Sequence, residues 1–131
     1  MAKILFAQNL APSIYEFVVD APLVAHKCKP GQFVMIRTDE YSERIPLTIA
    51  DFDREKGTIT LIVQAVGNTT KDLCENYKEG DDILDIAGPL GQPSHMKNFG
   101  TVVVVGGGIG VAPVYPIARA YHELGNKVIS I

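Results

Sequence analysis

Few of the residue types that mark common chemistries are present. The two cysteines, Cys28 and Cys74, lie far apart and unclustered, so they suggest neither a zinc site nor a disulfide framework. They cannot supply the four ligands an iron–sulfur cluster normally needs within one chain. They read as free thiols in a reducing cytoplasm. The three histidines, His26, His95 and His122, are scattered. His122, beside Glu123, reads as a helix-surface group and His95 as a loop residue. Asp81, Asp82 and Asp85 read as a solvated turn and strand edge and not as a carboxylate dyad. Ser94 and Ser130 have no identifiable base partner, so nucleophilic hydrolysis is unsupported.

Charge of one sign is also lacking. Twelve Lys and Arg stand against 15 Asp and Glu, for a net charge of −3. There is no basic stripe and no acidic tail, and nucleic acid is not an expected partner. The opening MAKILFAQNL is too short in apolar residues for a signal-peptide core. One long uncharged stretch exists, residues 101–118, and it meets the length of a membrane span. Glycines at 106, 107, 108 and 110 and prolines at 113 and 116 interrupt it. Its Thr/Val-rich opening suits a strand, so a strand–turn–helix is expected and a membrane span is not. With 47% hydrophobic and 21% charged residues over 131 positions, the chain reads as globular, one domain or one domain plus a piece of another.

Turn formers divide the first ninety or so residues into six β-rich runs, 4–7, 14–19, 32–37, 45–52, 58–66 and 83–87. That spacing favours a closed or nearly closed antiparallel barrel. One interruption, TTKDLCENY at 69–77, places Leu73, Cys74 and Tyr77 on one helical face, with Thr69 and Asp72 approximating a capping box. After GPLGQPSHMKNFG the pattern changes. Residues 101–105 form a β-branched run typical of a strand buried on both faces. Val114, Ile117, Ala118, Tyr121 and Leu124 make a helical stripe closed by Gly125, and 128–131 read as a further strand. Together these begin a βαβ unit.

A glycine turn between a strand and a helix gathers backbone N–H groups and the positive helix end at one point, the geometry of a phosphate site. The G-x-G-x-x-G pattern is not met, however. Counted from Gly106 it ends on Val111, and from Gly108 on Pro113. Tight strand–helix packing also selects glycine, so both readings stand at this point. Pro113 suits a first helical turn, whereas Pro116 removes an intrahelical bond. An irregular or displaced helix start is expected.

Three segments occur together: RIPLTIAD at 44–51, VGNTTKDL at 66–73 and GGGIGVAP at 106–113. PGQFVMIR and GDDILDIAGPLG fill the intervals. In order and spacing they resemble the ferredoxin–NADP reductase superfamily. Within it, the chain is most similar to the small FAD/NAD-binding subunits of NADH-dependent ferredoxin:NADP oxidoreductases, also called sulfide dehydrogenase subunits. The electron-transfer subunits of dihydroorotate dehydrogenase are close relatives, and the resemblance covers essentially the whole chain. It implies an all-β plus α/β fold. Residues 1–98 would be a six-stranded antiparallel Greek-key FAD-binding barrel with one short helix. Residues 99–131 would be the truncated first βαβ of a Rossmann-like NAD(P)-binding domain.

The resemblance implies site residues as well. Arg44, Ile45, Pro46, Leu47 and Thr48 would lie along the flavin, with the Thr48 hydroxyl near flavin N5 as the catalytic group. Ile62, Val63 and Gln64 would run beside the flavin and its linker. Gly67, Thr69 and Thr70 open a helix whose free N–H groups suit the FAD diphosphate. Gly107, Gly108, Ile109, Gly110, Val111, Ala112 and Pro113 would meet the pyrophosphate of NAD(H) or NADP(H). Electrons would leave for an iron–sulfur cluster held by a further part of the subunit or by a partner, either a larger catalytic or iron–sulfur subunit or a ferredoxin-type carrier. Three positions depart from the family's pattern. Its arginine position is Ile45, and alternation points Arg44 to the opposite face unless a strand bulge restores it. Its aromatic position is Leu47, and Gln64 stands where relatives can have a cation. On this reading the residues are a fragment of a longer cytoplasmic reductase subunit. The alternative is a non-catalytic FAD-carrying or docking module that completes its sheet with another chain.

Overall fold

A computed structural model describes all residues, Met1–Ile131. Strands β1 (Ala2–Ala11) and β2 (Ile14–Asp20) form a hairpin, and β2 pairs with β5 (Thr58–Gln64). Next come β4 (Ile45–Asp53) and β3 (Phe33–Arg37). The run read as one strand at 83–87 is divided. Its first part, β6 (Asp82–Ile83), pairs with β1, and its second, β7 (Asp85–Leu90), pairs with β3. The seven-stranded order is therefore β6-β1-β2-β5-β4-β3-β7, every pairing antiparallel. The two edge strands are separated in sequence by Leu84 alone, whose N–H donates to the Thr38 carbonyl at 3.1 Å. The chain itself thus joins the two edges of a nearly closed barrel. The β2–β3 connection crosses over β5 and β4, giving the expected Greek-key path.

Inward residues follow the period of two. Ile4, Phe17, Val19, Val34, Ile36, Ile59, Leu61 and Ile83 are all at most 1% exposed and form one core. A short helix α1 (Pro22–Lys27) lies in the β2–β3 connection. Six residues are too few to show helical periodicity, and Pro22 at its first turn is its main sequence signal. Arg54 holds its end, donating to the carbonyls of Ala25, His26 and Cys28 at 3.3, 2.9 and 2.9 Å. Helix α2 (Asn68–Asn76) turns Leu73 and Cys74 into the same core.

Strand β4 contains a phase change. Ile49 pairs with Leu61, but Asp51 already pairs with Thr60, so Ala50 is an extra residue. Such a bulge exchanges the faces of everything after it. Ile45, Leu47 and Ile49 pack on the barrel core before it, and Phe52 does so after it. Ala50 and Asp51 are left on the outer side. The bulge lies beyond Thr48, so Arg44 keeps the alternation expected of it, exposed on the side of Pro46 and Thr48.

The second sheet pairs β8 (Thr101–Val104) with β9 (Lys127–Ser130) in parallel, joined by α3 (Val111–Glu123). A 3-10 turn, Gly108–Gly110, precedes α3, and Pro116 is buried inside the helix. This is the irregular start that the prolines require. The first sheet ends at Leu90 and the second begins at Thr101. Asn126, 3% exposed, ties this segment down. Its Oδ1 accepts from the N–H groups of Phe99 and Gly100, and its Nδ2 donates to the carbonyls of Lys97 and Tyr121. No helix is long and apolar enough to cross a membrane.

Replacing Phe17 with Ala should remove about 3–5 kcal/mol of unfolding free energy by opening a cavity in the barrel core. Leu5→Ala, at a residue 42% exposed, should change it by less than about 0.5 kcal/mol. Urea unfolding of the two variants compares them directly.

Candidate cofactor site

A cavity of about 310 Å³ lies where the barrel meets α3. Strand β4 contributes Pro46, Leu47 and Thr48 to its lining, and β5 contributes Ile62, Val63 and Gln64. The start of α2 adds Val66 and Thr70, and the glycine turn and α3 add Ile109, Gly110, Ala112 and Pro113. Residues drawn from three segments distant in sequence therefore line one apolar hollow. Its size is at the lower end of ligand sites, about 300–1,000 Å³, enough for a ring system. The polar side chains there are few. Neither the Thr48 hydroxyl nor the Gln64 amide forms a hydrogen bond within the chain, and Thr48 is exposed beside the buried Ile49. Free donors among apolar walls suit a flat heteroaromatic ligand with polar edges.

The glycines of the turn separate into two kinds. A Cβ on Gly106 would meet Val111 Cα and Val114 Cγ2, each at 2.9 Å, so packing against α3 selects that glycine. Around Gly107 and Gly110 an added Cβ meets nothing within 4 Å. Gly107 is extended (φ −106°, ψ 128°) and Gly110 is helical (φ −62°, ψ −14°). Neither space nor backbone conformation within the chain demands glycine there, while Gly108, at φ +57°, has a conformational reason. The N–H groups of Gly107, Gly108 and Ile109 have no acceptor within the chain, whereas Gly110 donates to Gly107 and Val111 to Gly108 and Ile109. Open space over free N–H groups at a helix start is a cradle for a phosphate. The packing reading thus holds for Gly106 and not for its neighbours.

The start of α2 is shaped by Thr70. Its hydroxyl accepts from the N–H groups of Val66 and Gly67 at 3.1 and 2.9 Å and donates to the Gly67 carbonyl at 3.1 Å. That hydroxyl is fully engaged, so Thr70 offers a ligand its backbone N–H. Thr69 donates to Glu43 Oε1 at 3.2 Å and sits outside the cavity, beside a polar hollow that includes Asp39 and Asp72. Arg44 donates to Asp85 Oδ2 at 2.5 Å, and this hydrogen bond holds the Asp85 carboxyl below the usual carboxylate range. Ile45 packs on the barrel core. Arg44, Ile45, Gly67, Thr69, Gly107, Gly108 and Val111 do not line the cavity itself. Val66, 69% exposed, does line it and was not read from the sequence. An exposed apolar residue immediately before a glycine turn was its only signal. Burial raises the thiol pKa of both cysteines, that of Cys74 to about 11 with Glu75 adding to the effect, so neither is a nucleophile at neutral pH. No group of three or more His, Cys, Asp or Glu side chains could hold a metal ion.

Comparison with known proteins bears on this arrangement. A solved structure of an NADH-dependent reduced ferredoxin-NADP oxidoreductase, described for flavin-based electron bifurcation, superposes with a TM-score of 0.96 at 45% identity. It matches 99% of this chain and 47% of its own. The chain has the ferredoxin reductase-like FAD/NAD-binding fold. Phthalate dioxygenase reductase, at 20% identity and a TM-score of 0.80 over 97% of this chain and 40% of its own, shares the fold. In sequence, the chain is 48% identical over 123 residues to a Thermotoga maritima dihydroorotate dehydrogenase B (NAD(+)) electron transfer subunit homolog, covering 94% of this chain and 43% of that one. It is 40% identical over 129 residues to the dihydroorotate dehydrogenase B (NAD(+)) electron transfer subunit of Shouchella clausii, covering 94% and 49%. Both of these relatives are named for the electron transfer subunit of dihydroorotate dehydrogenase B, and the chain spans about half the length of the curated relatives it matches. No protein-family model matches it.

The two kinds of glycine can be told apart by stability alone. Gly106→Ala should cost about 1–3 kcal/mol through overpacking against α3. Gly107→Ala should leave the unfolding free energy within about 0.5 kcal/mol of the parent.

Proposed function

We propose that these residues form the flavin-binding and first nucleotide-binding parts of an oxidoreductase subunit that passes electrons between NAD(P)H, FAD and an iron–sulfur partner. The observation that supports this most is the convergence of Pro46, Leu47 and Thr48, of Ile62, Val63 and Gln64, and of Ile109, Gly110, Ala112 and Pro113 on one cavity. Residues 1–98 are taken as the FAD-binding unit and 99–131 as the beginning of the nucleotide-binding unit. When bound, FAD accepts two electrons from a nicotinamide and releases them one at a time.

The chain's own groups have distinct parts in this. Leu47 and Ile62 exclude water from one side of the ring site, and Pro46 stiffens the strand that presents them. The free Thr48 hydroxyl would be available to donate to the flavin edge near N5 and so to orient the ring. Gln64 offers an amide to the flavin or its linker. The N–H groups of Asn68, Thr69 and Thr70, unpaired at the α2 start, would hold the FAD diphosphate. Those of Gly107, Gly108 and Ile109 would hold the nucleotide pyrophosphate, and the glycines at 107 and 110 keep the backbone approachable. Arg44, on the Thr48 side of β4, is held by Asp85, so backbone donors take the larger share of diphosphate binding. The subunit acts in the cytoplasm with a larger catalytic or iron–sulfur subunit or a ferredoxin-type carrier. The relatives named as electron transfer subunits of dihydroorotate dehydrogenase favour a second reading, in which that dehydrogenase is the partner.

Titration with FAD should give a bound, yellow complex that NADH or NADPH bleaches under anaerobic conditions. A protein that binds no flavin after reconstitution contradicts the proposal. Thr48→Val should retain FAD with affinity within about threefold. Its flavin reduction by reduced nicotinamide should slow about five- to tenfold, the scale of one lost hydrogen bond.

A further inference from the structure

On the far side of β4 from the barrel core, past the cavity, one side chain joins α3 to the barrel. Arg119 of α3 donates through Nη1 to Asp51 Oδ1 of β4. The same carboxylate oxygen accepts from the N–H of Phe52 at 2.8 Å, which fixes its direction. The Arg119 guanidinium also lies 5.2 Å from the centroid of the Phe52 ring and 5.6 Å from that of Tyr115 on its own helix. The other guanidinium on Phe52, that of Arg54 at 4.8 Å, is bound to the three carbonyls at the end of α1. Arg119 therefore rests on a platform anchored in the barrel, and both members of its ion pair are about one-third exposed.

A helix is a stiff rod, and its placement needs two separated points of contact. The start of α3 is one, where Ala112 and Pro113 meet Pro46 and Ile62 in the cavity. Arg119 is the other, roughly 12 Å further along the axis than Val111 at 1.5 Å per residue. Between them, Tyr115 and Ala112 border a hollow shared with Ala50, Asp51 and Thr60. Asp51 and Thr48 belong to one strand, so the group that anchors the helix and the group that faces the flavin move together.

Resting on the flavin reading above, we infer that Arg119 is a positioning residue: through Asp51 and Phe52 it sets the distance and rotation of α3, and with it the glycine turn, relative to Thr48. Arg119 touches neither flavin nor nicotinamide. Its planar cation is what allows pairing with a carboxylate and stacking on two rings at once, which a lysine cannot reproduce.

The test uses the complete FAD-loaded subunit and compares Arg119→Gln, Asp51→Asn, the double variant and Arg119→Lys. FAD affinity, thermal midpoint, and KM and limiting rate of flavin reduction by NADH or NADPH, whichever reduces the parent protein, are measured for each. Arg119→Gln and Asp51→Asn should each lower the limiting rate about tenfold or more, since small misplacements of reacting groups have effects of that size. FAD affinity should stay within about twofold, and the double variant should be no slower than either single one, as for two groups in one interaction. Arg119→Lys should fall between Gln and the parent, and it is the variant to read if Arg119→Gln does not fold. Reduction at the parent rate in either single variant, or losses that multiply in the double variant, overturns the inference. Failure of the parent protein to bind FAD or to be bleached overturns the flavin reading itself, before any variant is compared.

Discussion

The arrangement depends on a change of phase in one strand. Up to Ile49, β4 alternates between the barrel core and the outer face, and the extra residue Ala50 then reverses the order. Without it, continued alternation would put Asp51 into an apolar core and Phe52 on the outside. A buried unpaired carboxylate costs far more than a one-residue irregularity in a ladder. With the bulge, Ala50 is small enough to sit under α3, Phe52 joins the core, and Asp51 faces the helix. The same strand supplies the wall of the cavity before the bulge and the anchor for α3 after it. Barrel and helix are thus set against each other by a single segment of eight residues, RIPLTIAD.

Much of this was legible in the sequence, because it follows from periodicity and turn chemistry. The six β-rich runs, the helix opening at NTT and the strand–turn–helix around GGGIG all occur near where the patterns put them. Residues from the three motif segments meet at one cavity because each motif ends a strand or starts a helix at the same end of the fold. What was not legible depends on pairings distant in sequence. The division of 82–90 at Leu84 reflects β6 adding to β1 and β7 to β3, and no local pattern announces a change of partner. Helix α1 is shorter than the period needed to recognise it. The open space over Gly107 and Gly110, against the tight contact at Gly106, requires the position of Val111 and Val114 in space.

The electrostatics of the site favour backbone over side chains. The arginine nearest the flavin strand is paired with Asp85, and Thr69 at the start of α2 is paired with Glu43. Neither lines the cavity, and no charged side chain does, so its polar character comes from Thr48, Gln64 and peptide N–H groups near two helix starts. Peptide dipoles fixed by a helix do not need to reorganise when an anion arrives, whereas long cationic side chains lose rotamer freedom on binding. Asn126 and the Tyr121 hydroxyl, which donates to the His95 carbonyl at 2.6 Å, tether the segment before β8 to the far end of α3.

We propose that one cavity, built from β4, β5 and the turn before α3, holds the flavin. Amide hydrogen exchange with and without FAD tests this most directly, because it reports on each segment separately. Exchange should slow on FAD binding at residues 47–48, 62–66 and 68–70, with little change in β1 and α1. FAD binding that left 47–48 and 62–66 unprotected, or that protected a different face of the barrel, would contradict it.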